Sequence, residues 1–472
     1  MKLNFRKLLS FTLGALLCSG ISAQNWKKEA VVKLNNGEFN KVETIIKQLS
    51  NKEKSQNPVF IDSLQTMMQR IRRDFRLTPE EGKKMLMEKV PNVTDSQIEV
   101  WKAKKYLETR IIDGQEWWFR KTIKNFALLN KELYGEQIAS DKKKEYADVH
   151  RKIEHILSLK RDENNVCDWK TVEMTYFLEV PANEVPEGEI VRAWLPFPYD
   201  NGRQRNFKLI SSSSPVTHSV GSVHHTVYME QKSIKDKPTR FEIKFSYEVG
   251  AQVFSKADIL RNLKPYNKNT ENYKNNTCQV LPHILVNEKY QKLALSLIGK
   301  EKNPVIQASL IYDWISSNYP WAGALDYSTI PCMPEYVLNI NHGDCGQVAL
   351  LYISLLRSIG IPARWESGWE FSENWAGWHD WLEVYFEGTG WVPCDMSRGR
   401  TTHKEPFQDF YKTCIDGYRF ATNEGTNGEF YPAKKYLRCE TVDFQAGEVE
   451  WENANIINYK SNLKVNKITP IK

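Results

Sequence analysis

The chain has 472 residues, of which 41% are hydrophobic and 26% charged, with a formal net charge of +7. This length exceeds one ordinary core, so we expect two or three domains. The mean hydropathy of −0.55 and the hydrophobic content exclude a membrane-embedded or a disordered protein. Basic and acidic residues are interspersed along the chain, so no nucleic-acid-binding surface is expected.

Residues 1–23 are typical of a secretory signal. Three basic residues precede an apolar run over 8–17, and Ile21-Ser22-Ala23 has the small residues of a cleavage site. The run is too short to span a bilayer comfortably, so no transmembrane segment is expected after cleavage. Cys18 offers a lipid-anchor alternative, which the bulky Leu17 before it disfavours. The sequence therefore predicts an exported protein that is periplasmic, cell-surface or secreted.

Residues 24–165 are expected to form a mostly helical domain, because apolar residues recur three or four apart among charged ones. Within it, Asp113-Gly114 between two alternating segments predicts a β-hairpin. Residues 166–255 hold short segments rich in β-branched and aromatic residues, which predicts a β-sandwich-like domain. Its predicted strands cover 170–180, 190–196, 206–210, 224–230 and 239–249. Residues 256–472 are assigned to a catalytic core with a C-terminal extension.

The stretch from Gly343 to Asp395 carries the candidate chemistry, and it opens on a helix. Asp344 is expected to be the N-cap of this helix, with Gln347 completing a capping box. The residues that follow are apolar on nearly every face, so the helix is expected to be buried. Cys345 then lies at a helix N-terminus, where the dipole and the backbone N–H groups favour a thiolate and an oxyanion. Gly346 leaves room for a substrate carbonyl.

His379 and Asp395 supply the other groups that a nucleophilic thiolate needs, a base and a residue that orients it. They are predicted on two strands of a hairpin, whose loop length decides whether they share a face. A three-residue loop over 388–390 brings Asp395 to the face of His379, and its final glycine suits the left-handed position. Asp380 competes as the orienting residue, but as the strand neighbour of His379 it is expected to point to the other side.

Cysteines other than Cys345 are expected to have structural roles. Export places them where disulfides can form, and Cys414 with Cys439 is the first candidate bridge. The alternative is that most are small buried apolar residues. A disulfide from Cys345 to Cys332 or Cys394 would instead remove the nucleophile. No C-x-x-C pair occurs, so a zinc knuckle is not expected.

Four motifs in this stretch resemble the transglutaminase-like superfamily. They are Gly343-Asp344-Cys345-Gly346 before a Leu-rich helix, Gly360-Ile361-Pro362-Ala363-Arg364, Trp378-His379-Asp380-Trp381-Leu382-Glu383-Val384-Tyr385 and Gly390-Trp391-Val392-Pro393-Cys394-Asp395. The resemblance covers roughly residues 304–395. Two positions depart from the family pattern. Asp380 stands where the family often has a small residue, and Met396-Ser397 replaces the usual Pro-Thr.

The resemblance implies an α+β, papain-like core in which a buried helix packs on an antiparallel sheet. The β-sandwich-like module and the N-terminal helical domain precede it. Cys345 would be the nucleophile, His379 the general base and acid, and Asp395 the orienting residue. The family also has an extra oxyanion donor upstream, for which Trp321 and Tyr319 are the candidates. No metal or organic cofactor is needed.

Aromatic residues are expected to wall the substrate cleft. Eight of the 15 Trp lie between positions 314 and 391. Trp369, Trp375 and Trp378 are expected to line the acyl or peptide site, because they lie on the strand end and the loop that lead to His379.

The expected reaction is hydrolysis of a peptide or amide bond through a thioester acyl-enzyme. The substrate would be a peptide, a protein or a cell-wall amide. Transfer to an amine, as in a transglutaminase, is one alternative. A non-catalytic binding module on the same fold is the other.

Overall fold

The computed structural model describes residues 23–218, 223–400, 407–440 and 442–471. Except for Ala23, which begins the first helix, the predicted signal segment 1–23 lies outside these residues, and Cys18 with it. In the described ranges, no helix combines the length and the apolar character that crossing a membrane requires.

The N-terminal part is mostly helical and contains the predicted hairpin. Its elements are α1 (Ala23–Asn35), α2 (Phe39–Gln48), α3 (Asn51–Gln56), α4 (Pro58–Asp74), β1 (Phe75–Leu77), α5 (Pro79–Met87), α6 (Asp95–Ala103), β2 (Thr109–Ile112), β3 (Gln115–Phe119), α7 (Thr122–Leu129) and α8 (Lys131–Ser158). Ile112 pairs with Gln115 across Asp113-Gly114, whose φ angles of 50° and 83° are those of the expected tight turn.

The following strands form two packed antiparallel sheets. They are β4 (Val166–Val180), β5 (Ile190–Pro196), β6 (Gln204–Ser212), β7 (Thr217–His218), β8 (Thr226–Lys232) and β9 (Thr239–Val253). Along β4, buried residues such as Val172, Met174 and Tyr176 alternate with more exposed ones, because successive side chains point to opposite faces. The buried faces of the two sheets form one hydrophobic core, which also contains Val191 and Phe241.

The remaining elements contain the core and a C-terminal group of strands. They are α9 (Lys256–Asn262), α10 (Glu271–Thr277), α11 (Glu288–Ile298), α12 (Pro304–Asn318), α13 (Met333–Ile340), α14 (Cys345–Ser358), β10 (Ala363–Ser372), β11 (Trp375–Phe386), β12 (Gly390–Cys394), α15 (Phe410–Thr413), β13 (Cys414–Ile415), β14 (Arg419–Glu424), β15 (Glu448–Trp451), β16 (Ala454–Ile456) and β17 (Lys460–Pro470).

Helix α14 packs on an antiparallel sheet with the order β12-β11-β10-β14, as the α+β prediction requires. Every residue of this helix is buried. Its apolar side chains share a core with Leu382 and Val384 of β11. One face of the sheet is therefore covered by α14.

The opposite face of this sheet is covered by the β-sandwich-like module. Trp381 packs there with Tyr199 of the module. The buried Arg203 donates from the module to Glu383 at 2.9 Å and also bonds to Glu366. Because a buried charge must be paired, these bonds fix the module against the sheet.

C-terminal strands complete the sheets of the module. Strand β17 pairs with β4 along its length, β15 pairs with β5, and β13 pairs with β9. The two sheets then have the orders β13-β9-β4-β17, with β6 also on β9, and β16-β15-β5-β8-β7. The segment predicted to extend the core thus lies largely in the module.

The predicted Cys414–Cys439 bridge is wrong, because all seven described cysteines are free thiols. Cys414 packs in a hydrophobic cluster with Cys167 and Phe410, whereas Cys439 lies next to a cavity lined by Arg70. Cys332, Cys345 and Cys394 are free as well, so no disulfide removes the candidate nucleophile. Apart from the exposed Cys278, these cysteines are buried, which agrees with the alternative interpretation.

Candidate active site

Cys345 begins helix α14, and the predicted capping box is present. The carboxylate of Asp344 accepts from the backbone N–H of Gln347 at 3.1 Å, and the Gln347 side chain accepts from the Asp344 N–H at 3.0 Å. The thiol is buried, with 9% of Cys345 exposed. Sγ donates to Oδ2 of Asp380 at 3.5 Å.

The environment of Cys345 raises the pKa of its thiol well above the usual value. Burial is the main cause, and the carboxyl groups of Asp380 and Asp344 add to it. The helix dipole alone favours a thiolate. Burial and the two acidic neighbours therefore disfavour, in this state, the thiolate that the sequence predicts.

Asp380 is the centre of a buried polar cluster that the sequence did not reveal. Its Oδ1 accepts from Nε2 of Gln445 at 2.6 Å, and its Oδ2 lies 3.2 Å from the Tyr327 hydroxyl. Tyr327 also donates to Oδ1 of Asp344 at 2.6 Å. Burial, followed by the charge of Asp344, raises the pKa of Asp380 well above its usual range.

His379 and Asp395 form the second pair of the site. Nε2 of His379 lies 2.8 Å from Oδ2 of Asp395. Oδ1 of Asp395 accepts from the backbone N–H groups of Ser397 and Arg398 at 3.0 and 3.1 Å. Burial alone would raise the pKa of Asp395, but the charges of His379 and Arg419 outweigh it and hold the pKa well below its usual range. Asp395 is therefore an ionised partner for the imidazole.

The hairpin register explains this pairing. Phe386 pairs with Gly390, so the loop contains three residues, as predicted. It spans 387–389, one residue earlier than predicted. Gly388 takes a positive φ of 91°. A Cβ on this residue would lie 2.0 Å from the backbone carbonyl oxygen of Asn262. Continuing the register sets Asp395 opposite residue 381, on the face of His379.

Cys345 and His379 have different hydrogen-bond partners. His379 shares its face with Trp381, with ring centroids 6.0 Å apart, and this face meets the module. Asp380 points to the other face, as expected for a strand neighbour, and its carboxyl bonds to the thiol of Cys345. In the described part of the chain, no hydrogen bond joins Cys345 to His379. The structure brings together His379 with Asp395, and Cys345 with Asp380.

The candidate oxyanion and cleft residues divide into exposed and buried groups. Trp321, Trp375 and Trp378 are 40%, 55% and 56% exposed. Trp321 forms a parallel bridge with Gly343, two residues before the thiol. Trp369 is buried and packs against Trp378, with ring centroids 6.1 Å apart.

Tyr319 and Gly346 are both surrounded by protein groups. Tyr319, a candidate oxyanion donor, is buried in the helical core with its ring centroid 5.3 Å from that of Trp314. The missing side chain of Gly346 makes room for protein groups: a Cβ would lie 2.3 Å from the Tyr327 hydroxyl and 2.5 Å from Oδ2 of Asp380. Packing at the helix start therefore requires this glycine.

Residues 291–396 match the family model described as the transglutaminase-like superfamily. This range contains α14, the hairpin and the residues Cys345, His379 and Asp395. The chain therefore has a transglutaminase-like core of mixed helix and sheet, joined to an N-terminal helical part and to further sheets.

Two proteins with known sequences are similar over part of the chain. The uncharacterized protein YebA of Bacillus subtilis is 30% identical over 168 residues, which are 31% of this chain and 22% of YebA. An uncharacterized protein of Haemophilus influenzae is 24% identical over 217 residues, which are 38% of this chain and 58% of that protein. The chain thus spans less than two thirds of either relative.

Two solved structures are also similar. A proposed cysteine protease from Cytophaga hutchinsonii is 15% identical, with a TM-score of 0.43, and the match covers 64% of this chain and 92% of that one. The periplasmic domain of TgpA from Pseudomonas aeruginosa is 13% identical, with a TM-score of 0.24, over 48% of this chain and 90% of that one. The assignment of the core rests on the family match.

Proposed function

We propose that this protein is an exported cysteine-dependent enzyme that hydrolyses a peptide or amide bond. Cys345 is the nucleophile, His379 the general base and acid, and Asp395 the residue that orients the imidazole. The observation that carries the proposal is the 2.8 Å bond between His379 and Asp395, because it holds a basic ring against an ionised carboxylate within the transglutaminase-like core.

The proposed reaction has two steps. In the first, Sγ of Cys345 attacks the carbonyl carbon while His379 takes the thiol proton. The C–N bond then breaks, and the amine leaves with that proton. In the second step, water attacks the thioester with His379 again as the base, and the C–S bond breaks as the proton returns to Sγ. Backbone N–H groups at the start of α14 are the proposed donors to the oxyanion.

This mechanism requires the thiol to exchange its partner. In the described state Sγ donates to Asp380, the strand neighbour of His379. Catalytic hydrogen bonds often form only when substrate is bound, so we propose that substrate binding moves the thiol from Asp380 to His379. The exposed rings of Trp375 and Trp378 are proposed to hold the acyl part of a peptide, protein or cell-wall substrate.

The test is to trap the acyl-enzyme. We would incubate the protein with peptide and cell-wall amides, quench in acid and measure intact mass. The wild type is expected to gain the mass of the acyl group, and Cys345→Ala to gain none. Cys278→Ala is the matched control, because Cys278 is a free, exposed thiol. Hydrolysis that persists in Cys345→Ala would remove this residue from the mechanism, and amine incorporation in place of hydrolysis would indicate a transferase.

A second candidate function, a non-catalytic binding module, is favoured by one observation. The thiol is buried, its pKa is raised, and it bonds to Asp380. On this interpretation Cys345 is a structural group. An unchanged dissociation constant for a peptide in Cys345→Ala, together with no acyl-enzyme in the wild type, would support the binding module over the enzyme.

A further inference from the structure

A cavity of about 590 Å³ lies away from the residues proposed for catalysis. It is enclosed by α4, by the start of β2, by the segment 325–331 of the core and by the C-terminal segment 427–439. Among the described residues, its lining includes neither Cys345 nor His379. A volume of this size accommodates a small organic molecule, and ligand sites often lie where separate parts of a chain meet.

Two buried polar atoms in the lining have no partner in the part of the chain that the structure describes. They are Nε of Arg70 and Nδ1 of His283. Arg70 is 6% exposed and His283 2%. Burial lowers the pKa of His283 to about 4, so its ring is neutral and has one donor and one acceptor nitrogen. A buried polar atom without a hydrogen bond is costly, and a ligand that bonded to it would remove this cost.

Burial disfavours the charged form of Arg70, but neighbouring acidic groups, Glu440 among them, outweigh it and raise the pKa, so the guanidinium stays charged. Its Nη1 donates to the Ser328 hydroxyl at 3.1 Å and lies 3.8 Å from Oδ2 of Asp326. That same oxygen lies 2.5 Å from Nη2 of Arg73. Asp326 is thus shared between two guanidinium groups, and the nearer one is Arg73.

Arg110 is a second cation of the lining. In the described residues, its guanidinium forms neither a hydrogen bond nor an ion pair. Burial lowers the pKa of Arg110, which indicates a guanidinium that is poorly compensated. Its nearest acidic influence is Glu108, which accepts from the Tyr336 hydroxyl. Burial raises the pKa of Glu108 to about 7, so this carboxyl does not provide a full negative charge at neutral pH.

The other charged residues of the lining do not reverse this balance. Arg438 is paired with Glu448 at 2.7 Å, so its positive charge is already balanced by the protein. Glu429 adds one acidic side chain to the lining. The remaining wall is largely apolar, with Met67, Ile71, Phe75, Leu325, Ile330 and Leu437.

We propose that this cavity binds a small organic carboxylate with an apolar body. Arg70 and Arg110 would bind the carboxylate, His283 would hydrogen-bond to a polar group, and the apolar wall would hold the rest of the molecule. A guanidinium fits a carboxylate with two parallel hydrogen bonds, which favours this anion over a neutral group. The proposal goes beyond the hydrolytic function and does not depend on it.

The test compares 4-phenylbutyrate with the neutral 4-phenylbutyramide by isothermal titration calorimetry on the full chain. The carboxylate is expected to bind at least about tenfold more tightly than the amide, the effect of a hydrogen-bonded charge. Arg110→Gln is expected to reduce this preference, because one of the two guanidinium groups proposed to bind the carboxylate is lost. Arg151→Gln is the control, because Arg151 is an exposed residue of α8 outside the lining.

Three outcomes would overturn the proposal: no saturable binding of the carboxylate, equal binding of the two probes, or an unchanged preference in Arg110→Gln. Circular dichroism would verify that Arg110→Gln is folded. If this variant did not fold, His283→Phe would replace it. This change removes the ring nitrogens at similar size, so binding of both probes should weaken, and unchanged binding would overturn the proposal. Failure of the proposed hydrolase would leave these titrations unaffected.

Discussion

Gly346→Ala is the substitution for which the geometry makes the sharpest prediction. A Cβ at this position would lie 2.3 Å from the Tyr327 hydroxyl, 2.5 Å from Oδ2 of Asp380 and 2.8 Å from Cη2 of Trp365. None of these atoms can easily withdraw. Trp365 is fully buried, and Gln445 donates to Asp380 at 2.6 Å. The added methyl group must therefore displace the cluster around the thiol.

The expected cost follows from two opposing effects. Overpacking a close-packed site costs about 1–3 kcal/mol. Replacing glycine by alanine within a helix returns about 0.5–1 kcal/mol. We therefore expect Gly346→Ala to lower the free energy of unfolding by about 1–2 kcal/mol.

Gly135→Ala is the matched control, because Gly135 lies in α8 and a Cβ there would meet nothing within 4 Å. The same chemical change is therefore expected to stabilise by about 0.5–1 kcal/mol. Urea unfolding followed by tryptophan fluorescence would measure both variants. A Gly346→Ala protein with an unfolding midpoint at or above that of the wild type would refute the packing argument.

Three further predictions concern the charges and the aromatic surface. Asp380→Asn should lower the pKa of the Cys345 thiol, because the Asp380 carboxyl helps to raise it, and so shift the rate–pH curve for alkylation by iodoacetamide to lower pH. Glu448→Gln should destabilise by about 3 kcal/mol at neutral pH. The pKa of the Glu448 carboxyl is about 4.5 in the unfolded state and about 2 in the folded state. Its contribution to stability is therefore complete above about pH 4.5 and is lost as the pH falls toward about 2, so wild type and variant should converge in acid. Trp378→Ala should raise KM for an acyl substrate with little change in stability, because the ring is exposed.

Each of these predictions has a control and a contradicting result. Alkylation would be followed in a Cys278→Ser background, and an unchanged curve would exclude Asp380 as a cause of the raised pKa. For Glu448, the charges of Lys434 and Arg438 outweigh the effect of burial. A stability difference that stayed constant down to pH 2 would contradict that account. An unchanged KM in Trp378→Ala would remove this ring from the proposed cleft.

Local signals predicted the parts of the fold that local chemistry determines. The capping box of Asp344 and Gln347 and the turn at Asp113-Gly114 involve neighbouring residues, and both are present. The loop before β12 has the predicted length. It begins one residue earlier than predicted, and in this position Gly388 lies against the backbone of Asn262, a contact with a distant residue that no local pattern records.

The surroundings of Cys345 could not be predicted in the same way. Tyr327 and Gln445 meet Asp380 across 53 and 65 residues of chain. Neither residue belongs to a recognisable motif, and a tyrosine or a glutamine in a loop carries no specific signal. The unusual Asp380 was the available clue. Its contact with the thiol depends on how α14 packs on the sheet, which the alternation of strand residues does not specify.

The C-terminal strands have a consequence for the order in which the protein matures. Gln445 holds Asp380, and β17 pairs with β4 almost 300 residues earlier in the chain. A nascent chain that has been made only to residue 440 contains every candidate catalytic residue but lacks both of these contacts. The surroundings of the thiol are therefore complete only when the segment beyond residue 440 has folded against the rest of the protein.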